Sequence, residues 1–222
     1  MTVLDIAPRR KSRMALTFSP PPPIDIEGAE YEGERLLIDK EIVARCDITK
    51  GTQLTLEDVK QLILVSESYR AKNRAIWLLS GQDYSEKGLY NKLLKTFTEK
   101  ASAFAVAQMK NKGYLDDKRY ALSLVEKFKK QNMSKRRIKE KLILKGVAKE
   151  ISDEILNQAD LSLSDVNRAA TLIKTKYINK ISNDEERKKT FQALMRRGFS
   201  YSDIKKAMEL SCNTDLFDEE IY

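Results

Sequence analysis

A pattern that returns about every fifty residues constrains this chain more than any other feature. Ser85…Leu89…Lys92-Leu93 recurs as Ser134…Ile138…Lys141-Leu142, an offset of 49. Ile138…Leu142…Lys145-Gly146-Val147 recurs as Thr190…Leu194…Arg197-Gly198-Phe199, an offset of 52. In each unit one helix leads in and a shorter one follows, with Phe104, Ile155 and Ala207 in comparable places. Periods of this length belong to arrays in which a unit buries its apolar face against its neighbours. The expected fold is therefore mainly α, with three tandem three-helix units over 67–115, 116–163 and 164–211 in an elongated, curved array.

The stretch from Gly113 to Gly146 states the unit most clearly. Asp116 is placed to cap a helix, with Asp117 in its first turn. Tyr120, Leu124 and Phe128 follow at i, i+4, i+8, and Leu122 and Val125 widen the stripe. Gln131-Asn132 interrupts it, Ser134 caps a second helix with Ile138, Leu142 and Ile143 inward, and Gly146 stands where a left-handed cap belongs. In the first unit a stripe of Tyr69, Ala75, Ile76, Leu78 and Leu79 ends at Ser80-Gly81. Ser85 then opens a helix carrying Leu89, Leu93 and Leu94, and Thr98 opens one with Ala101, Phe104, Ala105, Val106 and Met109 inward. Trp77, inside the apolar run, reads as core and not as a platform for bases. In the third unit Ser164 starts a helix, Asp184 to Arg197 carries Phe191, Leu194 and Met195, and Ser200 or Ser202 caps the last helix.

The flanks differ in texture. Residues 1–34 read as a mobile arm, since four consecutive prolines favour an extended segment and the run from Asp25 to Glu34 is acidic. Arg35 to Asp47 carries short β-branched clusters that fit a small hairpin. Thr55 opens a helix of about ten residues, with Asp58 in the place of a capping box. Residues 35–66 are thus a small β-α segment, and 212–222 an acidic tail.

Charge narrows the function. The formal excess is +8, and between Tyr120 and Glu150 ten Lys or Arg stand against three Glu, so one helical pair holds nearly all of it. Concentrated positive charge on helices is the footprint of a polyanion binder, most often nucleic acid. The chain has no His, which removes histidine bases and imidazole ligands together. Cys46 and Cys212 do not form a metal-ligand spacing and read as a reduced pair. No signal segment or apolar run of membrane length occurs, which points to a soluble cytoplasmic protein with no membrane partner. Asp116-Asp117 is explained as a helix start without a metal, so neither catalysis nor a cofactor is expected.

At these residues the chain resembles the RecX family of bacterial regulatory proteins, modulators of the RecA recombinase. The resemblance is carried by Ala75–Leu79 with Tyr84-Ser85 and Leu89–Leu93. It continues in Gly113-Tyr114-Leu115-Asp116-Asp117 with Arg119-Tyr120-Ala121, and in Arg137-Ile138…Leu142…Lys145-Gly146. It closes in Leu194-Met195-Arg196-Arg197-Gly198-Phe199-Ser200-Tyr201…Ile204, and spans about residues 70 to 209. Lys87-Gly88 departs from the Glu usual in the first unit, and Thr96-Phe97 replaces a basic residue and glycine at its turn. The resemblance implies a non-enzymatic, inhibitory modulator that lies in the groove of the RecA–DNA filament. There it would bridge protomers and restrain ATP hydrolysis, strand exchange and co-protease activity.

The side chains expected to meet the filament or DNA, single- or double-stranded, are Lys127, Lys130, Lys135, Arg136, Arg137, Lys139, Lys141, Lys145, Arg196, Arg197 and Tyr201. For Arg196-Arg197 a placement near a helix C-terminus is an equal explanation. A second reading is a helix-turn-helix transcription regulator that places Ser134–Lys145 in a major groove, and a third is an RNA-associated adaptor. The tandem repeat has no evident dimerisation seam, which argues against the second reading, since operator binders are commonly dimeric; a monomer is expected.

Overall fold

The computed structural model describes residues 1–158, 164–178 and 184–212 and divides into two units, Met1–Leu115 and Asp116 onward. The first begins with a sheet. Strands β1 (Thr2–Arg9), β2 (Arg13–Ser19), β3 (Tyr31–Glu32) and β4 (Arg35–Asp39) pair antiparallel in the order β1-β2-β4-β3. The expected mobile arm is therefore corrected: most of residues 1–34 is ordered hairpin and loop against the core. Leu16 and Phe18 of β2 alternate into that core beside Leu36 and Ile38 of β4. The hairpin escapes a search for turn glycines because Lys11 and Ser12 take the left-handed conformation themselves, at φ 57° and 55°.

The hairpin expected within Arg35–Asp47 is likewise replaced. Only β4 is a strand there, and its partners, the preceding β3 and the distant β2, both lie before it; helix α1 (Lys40–Arg45) follows and buries Ile42 and Val43. Helix α2 (Leu56–Gly81) corrects a third expectation, since the two helices read on either side of Ser66–Ser68 are one of 26 residues, about 39 Å long. Its start is the capping box foreseen, with Thr55 and Asp58 exchanging hydrogen bonds. Val59, Leu62 and Ile63 belong to the sheet core, and Ala71, Ala75 and Leu78 to the core of the first repeat.

The polar residues between those stripes are buried junctions. Ser66 Oγ donates to Asp39 at 2.8 Å, and Glu67 accepts from both the backbone N and Oγ1 of Thr98 at 2.7 Å. Thr98 is the cap of α4 (Glu99–Asn111), so a buried carboxylate locks α2 to the helix that packs along it. Helix α3 (Glu86–Leu93) lies between them and is capped by Ser85 as expected. Its end has no glycine; Thr96 and Phe97 N–H groups both return to the Leu93 carbonyl.

The second unit repeats the plan. Helices α5 (Asp117–Lys130), α6 (Lys135–Leu144) and α7 (Lys149–Gln158) enclose one core. Helices α8 (Asp165–Leu172), α9 (Asp184–Arg196) and α10 (Tyr201–Cys212) enclose another, and α8 runs on into a π-helical turn over Ile173–Tyr177. Asp116, Ser134 and Ser164 cap their helices, and Gly146 is left-handed, as the spacing predicts. The inward stripes are narrower than expected: Ile76, Trp77, Phe104, Leu122, Ile143 and Met195 are exposed. Three helices around a small core bury about one residue per turn of each, so the flanks of every stripe reach water. The acidic tail and the Cys212 side chain lie outside the described residues.

Candidate nucleic-acid interface

The basic helical pair becomes α5 and α6, and its side chains part into two groups. Lys127 and Lys130 project from α5 into solvent, and neither has an acidic partner among the described residues. Arg136 is exposed on α6, in a long i,i+4 pair with Glu140 at 3.9 Å that water screens. Beside it Ile143 and Leu144 are exposed, Leu144 by 80%. Lys145 is the exposed cap at the end of α6 and makes a contact of its own. Lys141 folds over the Phe128 ring, 5.3 Å from its centroid.

The others are held by surface partners. Lys139 pairs with Asp153 of α7, and Lys135 reaches Asn157 Oδ1 at 3.2 Å. The Lys135 backbone N–H donates to Asp165, whose carboxylate also holds Arg168. Arg137 bonds Glu140 at 2.9 Å. Arg197 donates through Nη1 to the Gln131 carbonyl at 2.6 Å, while its own carbonyl accepts from Ser134 N–H. The turn after α9 thus seats on the start of α6. Gly198 makes this approach possible: its φ is +91°, and a Cβ there would meet Arg137 Cβ and Ser134 Oγ at 2.6 Å.

Arg196 remains exposed on the solvent side of that turn, away from the Arg197 seam. Tyr201 is exposed, and its ring tilts on Phe191 at 4.9 Å. The two rings line a cavity of about 430 Å³ with Met208, the cations Arg187, Lys188 and Lys205 and the carboxylates Asp184 and Glu209. Sequence reasoning passed over the three cations, although the run Arg187–Lys189 and the pair Lys205-Lys206 were legible. It took α9 and α10 to bring them beside Tyr201.

Asp116 behaves as a cap, its carboxylate accepting from the Arg119 N–H at 3.0 Å. Among the described residues no cluster of acidic or thiol groups could hold a metal, and no helix is long and apolar enough to cross a membrane. The arrangement leaves basic groups facing water with exposed apolar residues among them.

Comparison with known proteins agrees with this architecture. Residues 164–208 match the family described as RecX, third three-helix domain. Regulatory protein RecX of Caldanaerobacter subterraneus subsp. tengcongensis is 32% identical, across 79% of this chain and 92% of that protein. Regulatory protein RecX of Clostridioides difficile is 30% identical, across 82% and 87%. A crystal structure of regulatory protein RecX shares the fold with a TM-score of 0.61 at 18% identity, covering 94% of this chain and 98% of that one. One from Lactobacillus salivarius gives 0.56 at 22%, covering 66% and 97%.

Proposed function

Because the chain belongs to the RecX family of regulatory proteins, we propose that it restrains the RecA recombinase from within the groove of the RecA–DNA filament. It bridges neighbouring protomers there and holds back ATP hydrolysis, strand exchange and co-protease activity, without chemistry of its own. The observation that supports this reading is the solvent-facing basic surface of the second unit. Lys127 and Lys130 have no acidic partner among the described residues, and Arg136 has only the long, exposed pair with Glu140 at 3.9 Å, so counterion release on meeting phosphates is available to them. Exposed Leu144 and Ile143 on the same helix supply apolar area for a protein neighbour.

The helix-turn-helix reading has less support. Lys135, Arg137 and Lys139 are each engaged by a residue of their own unit, so the helix that would read a major groove has few basic side chains left to do so. The test is ATP hydrolysis by the cognate RecA on single-stranded DNA, with this protein titrated in. Suppression well below one molecule per protomer is expected. No effect at saturation, with DNA binding demonstrated in the same buffer, would overturn the reading.

A further inference from the structure

Trp77 is the only tryptophan of the chain, and it stands 61% exposed on the second half of α2. It lies eighteen residues after Val59, five full turns of an α-helix, so the two share one azimuth. On that line Val59 and Ile63 are buried in the sheet core, whereas Trp77 belongs to neither core of its unit. The ring has a single charged companion. The Arg74 guanidinium sits 4.2 Å from its centroid, and Arg74 has no acidic partner among the described residues.

More positive charge lies along the same edge. The Lys40 N–H donates to the Ser12 carbonyl, and the adjacent Asp39 reaches Arg70 at 3.3 Å. The tip of the β1–β2 hairpin, where Arg10 and Lys11 are exposed and Glu30 and Glu32 are taken up by Arg9, Arg13 and Arg70, is therefore fixed beside α2 at the level of Arg70. Arg70 precedes Trp77 by two turns on nearly the same azimuth, about 10 Å along the axis. Hairpin tip, Arg74 and indole thus follow one another on one side of the first unit.

We propose that this edge is a second nucleic-acid site, which takes an unpaired strand by stacking a base on Trp77 while Arg74 and the Arg10–Lys11 tip meet flanking phosphates. An exposed aromatic face beside unpaired cations is the combination that binds single strands without regard to sequence. A duplex hides its base faces and would reach only the cations. A protein hot spot also uses Trp and Arg, but it surrounds them with a rim that excludes water. Here the exposed neighbours in sequence are mostly polar, Asn73, Arg74, Ser80, Gln82 and Asp83, with Ile76 the large apolar exception. The site is separate from the α5–α6 surface and stands or falls without it.

The single tryptophan is its own reporter. Titration of the full chain with oligothymidylate, in the absence of recombinase, is expected to quench Trp77 emission and shield it from iodide. A duplex of matched length should do neither. Trp77→Ala should weaken binding of the labelled oligonucleotide about tenfold and leave duplex affinity unchanged, and Trp77→Phe should restore most of the loss. Circular dichroism and melting of both variants check that the fold is kept. A triple Lys127→Glu, Lys130→Glu, Arg136→Glu variant should retain the quenching, which separates this site from the proposed filament surface. Unchanged emission while anisotropy shows the oligonucleotide bound would overturn the proposal, as would wild-type affinity in Trp77→Ala. Emission that responds only to recombinase protein would overturn it too, and would make the edge a protein contact.

Discussion

The two units join their cores by different means. In the first, the joint is charged and buried: Glu67 caps Thr98, and Asp39 is held by Ser66, Arg70 and Arg13 between sheet and helix. In the second, carbonyls and N–H groups carry most of the joint, with the Asp165 carboxylate accepting from Lys135 N–H beside them. Ser134 N–H meets the Arg197 carbonyl, Arg197 meets the Gln131 carbonyl, and Gly198 offers no side chain to keep them apart. A buried carboxylate is stable only while its donors stay in place, and a backbone seam only while nothing intrudes. The same helical unit can therefore be joined by adding a group or by omitting one.

The largest effect should come from intrusion. Gly198→Ala combines left-handed backbone with a collision against Ser134 and Arg137, and should cost about 3 kcal/mol in denaturant unfolding of the second unit. Gly113, also left-handed but with nothing within 4 Å of an added Cβ, should lose only about 1 kcal/mol on the same change. Equal losses at the two sites would mean that the Arg197 turn does not pack as described.

Removal should rank next. Glu67→Ala strands two donors of Thr98 and should cost about 2 kcal/mol in the first unit, and Glu67→Gln less, because an acceptor is kept. Reversing Lys127 and Lys130 to Glu should leave both units as stable as before while weakening DNA and filament binding. The logarithmic salt dependence on duplex DNA should then flatten by about 0.9 for each phosphate no longer neutralised. An unfolding midpoint that moves with that double change would place these lysines in a joint instead of on the surface.

The smallest effect concerns pH. Burial alone would raise the Glu30 carboxyl, but the hydrogen bond from Arg13 and the charges of Arg70 and Arg13 outweigh it and hold the group below its ordinary value of 4.5. A lowered carboxylate contributes stability that is complete above 4.5 and disappears as pH falls through the folded-state value. Melting of the wild type should thus fall more steeply than that of Glu30→Gln below pH 4.5, and the two should run parallel above it. Because Glu30 is half in water, the difference should be small.

Much of the helical plan was legible because its signals are local. Ser85, Thr98, Asp116, Ser134 and Ser164 all cap the helices expected of them, and Gly146 ends α6. The first thirty-four residues misled, since the hairpin turn uses Lys11 and Ser12 in a conformation usually left to glycine or asparagine. Ser66–Ser68 looked like a break in a helix because nothing nearby in sequence says that Asp39 and Thr98 will arrive to satisfy Ser66 and Glu67. At the candidate interface the charge was visible as a sum, but its division into surface and seam was not.

Spacing and capping chemistry act within about one helical turn, so the sequence alone determined the number and phase of the helices from Ser85 onward and where the positive charge is concentrated. Tertiary structure decided what those residues face. It ran α2 through two cores, left Trp77 in water beyond the edge of the sheet core, and tied Lys135, Arg137, Lys139 and Arg197 to surface partners while Lys127 and Lys130 stayed unpaired among the described residues. The reason is that burial and pairing depend on partners tens of residues away, as with Arg197 and Gln131, and their positions follow from packing rather than from any periodicity in the chain.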